Sequence, residues 1–199
     1  MSKIEFWFSI GSTYTYLSTQ RLEALEKEKN VEFEWFPFSV RARMVEMENI
    51  PFMAEKKKQK IDYMWRDVER RANFYGFDAN VPAPYPLKEF DLANQVAILG
   101  KKEGWIKDYT KLTYKKWFLE HHEPGSEPNL SKTLMEIGLD PEEIIKLAKL
   151  SDIVNEYEKN TKMAKNKGIF GSPSFIVNKE VFWGDDRCED SIKWLSKNS

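Results

Sequence analysis

The stretch Ile4-Glu5-Phe6-Trp7-Phe8-Ser9-Ile10-Gly11-Ser12-Thr13-Tyr14-Thr15-Tyr16-Leu17 constrains this chain more than any other. Aromatic and β-branched residues from Ile4 to Phe8 predict a strand. Gly11 breaks that pattern, and Ser12 or Thr13 is placed to begin a helix. Leu17, Leu22 and Leu25 then recur at helical spacing. A strand, a short turn and a helix start put Ser12 where backbone N–H groups and the helix dipole favour an anion. The same position equally suits a serine that only caps the helix.

The rest of the chain reads around that unit. Val31-Glu32-Phe33-Glu34-Trp35-Phe36-Pro37 alternates and stops at proline, predicting a second strand. Further strands are expected only at 174–177 and 180–183, before a final helix from about Cys188 to Leu195. Residues 40–167 read almost wholly as helix. Met53 to Tyr75 carries a stripe at Ile61, Met64, Trp65, Val68 and Ala72, which is read as core packing. Val81-Pro82-Ala83-Pro84-Tyr85-Pro86 interrupts the helices. Helices are then expected at about 88–103, 105–121, 130–136, 141–149 and 151–167. Asp140-Pro141-Glu142-Glu143 is a capped start with proline at the first helical position. A βαβ start and a ββα end flank the helical segment.

Ser172-Pro173 leads into the apolar run Ser174-Phe175-Ile176-Val177, a tight turn and Val181-Phe182-Trp183. This resembles the cis-proline segment of thioredoxin-like folds, in which that loop faces the first helix N-terminus. The expected fold class is therefore α/β. It is a thioredoxin-like βαβ…ββα core (1–39 and 168–199) with a large all-helical insertion (40–167).

Three motifs in order, Phe6-Trp7-Phe8 with Ser12, Tyr14, Tyr16 and Leu17, then Gly168-Ile169-Phe170-Gly171-Ser172-Pro173-Ser174-Phe175, then Phe182-Trp183-Gly184-Asp185-Asp186-Arg187, resemble one family. That family is 2-hydroxychromene-2-carboxylate isomerase and its relative, the kappa-class glutathione transferase. The resemblance implies glutathione as cofactor and Ser12 as the group acting on its sulfur. It implies contacts to glutathione or the substrate carboxylate from Asn49 and Lys60. It implies a short β-bridge from Ser172, before Pro173, to the glutathione backbone. It aligns Asp186 with the carboxylate that holds the γ-glutamyl ammonium, and sets Asp185 at a variable site beside it. A homodimer is implied as well. Each residue has a plainer reading: Asn49 as a turn residue, Lys60 as a solvated lysine, and Asp185 and Asp186 as charges at a helix start. Two positions depart from the family pattern. Ser9 stands where Asp is usual, and Thr13 stands where Pro is usual.

The chemistry agrees with a borrowed sulfur. Thioredoxin-like oxidoreductases carry two cysteines where this chain reads Ser12-Thr13-Tyr14-Thr15, so dithiol exchange at that position is excluded. A helix N-terminus with a hydroxyl donor lowers the pKa of a thiol from about 8.5. The expected activity is glutathione-dependent isomerisation of 2-hydroxychromene-2-carboxylate to trans-o-hydroxybenzylidenepyruvate, with glutathione regenerated. Kappa-class transfer to an electrophile is an alternative, and so is a non-catalytic thioredoxin-like binding module.

Composition narrows the partners. The 31 basic and 32 acidic residues nearly cancel, which points away from nucleic acid. No apolar run is long enough for a membrane span, and a strand begins almost at the N-terminus, with no signal peptide expected. Cys188 is the only cysteine, so no internal disulfide can form. A cytoplasmic location is expected. His121 and His122 stand without other ligands and predict no metal site.

Overall fold

In the computed structural model, which describes residues 3–48 and 57–197, alternation and apolar spacing resolve into four strands and nine helices. Strand β1 (Lys3–Phe8) runs into α1 (Thr13–Lys29) and returns as β2 (Glu32–Pro37). Seven helices follow: α2 (Val40–Glu46), α3 (Lys58–Phe74), α4 (Phe90–Glu103), α5 (Ile106–Glu120), α6 (Asn129–Glu136), α7 (Pro141–Ala148) and α8 (Ser151–Asn166). Strands β3 (Ser174–Val177) and β4 (Glu180–Trp183), a 3-10 turn over Asp185–Arg187 and α9 (Cys188–Lys197) complete the described chain.

The sheet order is β2-β1-β3-β4. β1 and β2 are parallel, with Phe6 opposite Trp35. β3 lies antiparallel to both β1 and β4, with Phe175 opposite Phe6 and Phe182. Because side chains alternate along a strand, Trp35, Phe6, Phe175 and Phe182 form one aromatic row. Phe6 meets Trp35 edge-on at 4.8 Å and stacks on Phe175 at 5.3 Å. This row belongs to a buried cluster that continues into the helices through Tyr16, Trp65, Tyr114, Phe118, Leu134 and Ile144. Trp7 points to the other face, stacks on Phe36 at 4.6 Å and packs with Phe38, Val40, Ala164 and Ile169.

Most expected boundaries hold to within two residues. The capped start is present as read: Asp140 Oδ1 accepts from the backbone of Glu142 at 2.9 Å and Glu143 at 3.3 Å. The helix expected from Met53 is described from Lys58 onward. α2 had no expected boundaries of its own. It is capped by Ser39, whose hydroxyl accepts from Ala42 N at 3.1 Å. Among the described residues no helix is long and apolar enough to cross a membrane.

The fold gathers one end of the sheet. β1 and β2 end there, β3 begins there and β4 ends there. The turn into α1, the loop before β3 and the 3-10 turn therefore converge.

Candidate functional site

Ser12 sits at the first position before α1, with an extended backbone (φ −87°, ψ 123°). It has the position of a cap and does not act as one, because its side chain accepts no backbone N–H. The hydroxyl instead donates to the carbonyl of Ser172 at 2.6 Å. No acidic residue occupies the first turn of α1. The positive end of that helix, with its unpaired N–H groups, is left without a carboxylate.

The turn before Ser12 is closed by its own backbone, with Ser12 N donating to Ser9 O at 3.0 Å. Gly11 is required there twice over. Its φ is 132°, a value that L side chains rarely adopt, and a Cβ would lie 2.7 Å from the Phe90 ring. Asn94 on α4 pins the turn from outside: its Oδ1 accepts from Ile10 N at 2.7 Å and its Nδ2 donates to Ile10 O at 3.0 Å. The Tyr114 hydroxyl lies 2.8 Å from Ser9 O and 3.0 Å from Ser12 O, and full burial pushes its pKa up. It is therefore a neutral donor to both carbonyls.

The facing loop carries a cis Ser172–Pro173 bond. Ser172 is a buried junction. Its hydroxyl accepts from Ser9 N at 2.9 Å and lies 2.9 Å from Thr15 Oγ1. Pro173 O accepts from Gly184 N at 2.9 Å, so this loop is tied directly to the segment that holds Asp185 and Asp186. The Gly171 backbone lies under the Trp183 ring, where a Cβ would meet Nε1 at 2.1 Å.

The structure thus brings Ser12, Ser172 and Pro173 together and sets Asp186 next to them. The Asp186 carboxylate stands against Gly184 and is about half exposed, paired with Arg187 at 2.8 Å. Asp185, expected beside it at the ligand, points the other way and is 2 % exposed. It accepts from Ser18 Oγ at 2.9 Å, Arg21 Nη2 at 3.1 Å, Arg71 Nη2 at 3.0 Å and Tyr75 Oη at 3.1 Å. A 3-10 turn rotates successive residues by a third of a revolution, which sends one neighbour inward and the next outward. Burial and then the Asp185 charge push the Tyr75 pKa up to about 12, so its phenol stays a donor. Burial alone would lower the pKa of Arg21, but Asp185 and Glu189 outweigh it and the net shift is upward.

Lys60 is exposed on α3, one turn before Met64. Met64 Sδ accepts from the Thr13 hydroxyl at 3.2 Å, so this face of α3 lies over the start of α1. Asn49 lies outside the described residues. At the two positions that depart from the family, Ser9 is buried with its hydroxyl 3.4 Å from Val40 N, and Thr13 makes the contact to Met64. The sequence marks Thr15 only as standing where a second cysteine would be, and its contact to Ser172 comes from the fold. Asn94 and Tyr114 escaped the sequence reading; their partners lie up to 105 positions away, and no local pattern marks them.

Chemically the site offers a hydroxyl, an uncapped helix N-terminus, a cis-proline loop and an exposed carboxylate. It suits an anionic or sulfur-bearing ligand and holds no cysteine for exchange. Cys188 is buried at the start of α9, where burial drives its thiol well above the ordinary value.

Known proteins share this arrangement of elements. The chain is 23% identical to 2-hydroxychromene-2-carboxylate isomerase of Sphingobium xenophagum, over 94% of both chains. A solved 2-hydroxychromene-2-carboxylate isomerase superposes with a TM-score of 0.85 at 22% identity, covering 98% of this chain and 97% of that one. The cytosolic disulfide reductase DsbM from Pseudomonas aeruginosa, solved with GSH, gives a TM-score of 0.66 at 13% identity over 98% of both chains. The family model for the DSBA-like thioredoxin domain matches residues 3–195, and the chain belongs to that family.

Proposed function

We propose that this protein is a glutathione-dependent isomerase that converts 2-hydroxychromene-2-carboxylate to trans-o-hydroxybenzylidenepyruvate. The observation that carries the reading is Ser12. Its hydroxyl stands at a helix N-terminus, is not used as a cap, and faces the cis Pro173 loop. The similarity to curated isomerases over nearly the whole chain supports the choice of substrate.

The residues fit glutathione by the chemistry of the donor set. A tripeptide thiol needs a donor for its sulfur, a backbone edge and charges for its termini. Ser12 and the first turn of α1 supply donors, Ser172 supplies a backbone edge, and Asp186 and Lys60 are exposed charges of opposite sign. When bound, held by Ser12, Ser172 and Asp186, glutathione would supply a nucleophilic thiolate for reversible addition to the substrate's conjugated double bond.

The chain's own part is electrostatic. Rotation of the Ser12 hydroxyl away from Ser172 O exchanges one hydrogen bond for a charge-assisted one, which is the stronger kind by roughly twofold. Ser172 O is then free to accept a peptide N–H from the ligand. The uncapped α1 terminus favours negative charge at the same point. Tyr114 and Asn94 hold the turn so that these donors are already oriented, which is where such sites gain most of their effect.

The test is direct. The purified protein is mixed with 2-hydroxychromene-2-carboxylate at catalytic glutathione, and the ultraviolet spectrum and free thiol are followed together. The expected result is equilibration to the benzylidenepyruvate with the thiol titre unchanged. No acceleration by glutathione overturns the reading, and stoichiometric loss of thiol replaces it with conjugation.

A further inference from the structure

Arginine is charged at any physiological pH, and its planar fork matches a carboxylate. Among the described residues, Arg21, Arg43, Arg66, Arg70, Arg71 and Arg187 each pair with a carboxylate of this chain. Arg41, on the first turn of α2, pairs with no carboxylate among the described residues and is exposed. Its guanidinium is nevertheless placed, lying 4.8 Å above the Phe90 ring centroid. Stacking on an aromatic face restrains the side chain while leaving its N–H edge open.

The location makes that open edge informative. The same Phe90 ring fills the space where a Gly11 Cβ would be, so a single ring separates Arg41 from the Gly11–Ser12 turn. Tyr85 meets Phe90 edge-on at 6.5 Å and is backed by Trp117 at 6.5 Å. The Arg41 charge also reaches Tyr85: burial pushes that phenol up to about 12, and Arg41 pulls against the rise. An aromatic wall topped by a cation with no carboxylate partner among the described residues therefore stands beside the candidate thiol site.

We propose that Arg41 is the carboxylate receptor of the substrate, holding a planar aromatic acid whose ring packs on the Phe90–Tyr85 wall next to Ser12. This deepens the isomerase reading and rests on it for the identity of the acid, though not for the preference for an anion. Glutathione also carries carboxylates, and the experiment separates the two sources.

Chromone-2-carboxylate and the neutral chromone-2-carboxamide serve as non-reacting probes, titrated calorimetrically into wild type, R41K and R41Q. A hydrogen-bonded charge pair corresponds to roughly 10–150-fold in binding. The wild type should prefer the carboxylate by about that factor, R41Q should lose the preference, and R41K should keep part of it. With the chromene as substrate, R41Q should raise KM by about 10-fold or more and leave kcat nearly unchanged, the mark of uniform binding. Glutathione affinity should be the same in all three. An R41Q protein that still prefers the carboxylate, or a wild type with no preference, overturns the assignment. A fall in glutathione affinity on R41Q also overturns it and moves Arg41 to the cofactor. Should the preference depend on Arg41 while the chromene is not turned over, the receptor stands and the isomerase reading falls.

Discussion

Replacing Asp185 with Ala should cost more stability than replacing any exposed carboxylate of this chain. Asp185 is 2 % exposed and accepts from two guanidinium groups, a phenol and a hydroxyl. Those donors come from α1 and from the C-terminal end of α3, so one carboxylate on the 3-10 turn joins three parts of the chain. Removing one partner of a buried ion pair costs about 3–5 kcal/mol, because the other charge stays buried. Two features place this case at the low end. Arg21 keeps Glu189, and the Arg71 side chain is 28% exposed and regains water. The expected loss is therefore about 3 kcal/mol. A chain of this size loses roughly 2–4 °C of Tm per kcal/mol, so the midpoint should fall by about 6–12 °C. Urea denaturation of wild type, Asp185→Ala, Asp185→Asn and Glu189→Ala measures it, with the midpoint moving and the slope held. Asp185→Asn keeps the shape but turns an N–H donor toward two cations, so its loss should fall between. Glu189, whose side chain is 37% exposed, should cost no more than about 1 kcal/mol. An Asp185→Ala protein within about 1 kcal/mol of wild type, or one no worse than Glu189→Ala, would refute the account of the cluster as a buried clamp.

Three further outcomes are expected. Ser12→Ala should raise the pKa of bound glutathione by about one to two units, from the ~1.5–3 kcal/mol of a hydrogen bond to a charged group; identical thiolate absorbance titrations with glutathione bound in both proteins would remove the assigned role. Its turnover should drop at neutral pH and recover in part at higher pH, because the thiol then ionises without the donor. Asp186→Ala should weaken glutathione by roughly 1–3 kcal/mol in calorimetry, and unchanged affinity would leave Asp186 as the partner of Arg187 alone. Cys188, buried and with its thiol pKa raised by that burial, should stay unreactive toward an aromatic disulfide at pH 8 until the protein unfolds. The sign follows from the acid: burial disfavours the thiolate, so raising the pH within the native range exposes little nucleophile. Rapid native-state labelling would contradict the burial.

The sequence by itself determined what depends on neighbours along the chain. The aromatic and β-branched run Ile4–Phe8, alternation in Val31–Pro37, the break at Gly11, the capped start at Asp140 and the Ser172-Pro173 entry to a strand are all short-range signals, and they placed the elements to within a few residues. The absence of cysteines near Ser12 likewise excluded dithiol chemistry without any coordinates. Tertiary structure alone decided where the polar groups point. Ser12 looked equally like a cap, and only the approach of Ser172 O, 160 positions away, takes its hydroxyl. Asn94 and Tyr114 read as ordinary helix residues until the fold lays α4 and α5 against the Ser9–Ser12 turn. Asp185 and Asp186 are indistinguishable as letters, yet the 3-10 turn buries one among arginines and leaves the other at the surface. The physical reason is common to these cases. Strand and helix formation is governed by steric and hydrogen-bonding preferences within a few residues, whereas a buried polar side chain takes whichever donor or acceptor the packed backbone brings within about 3 Å.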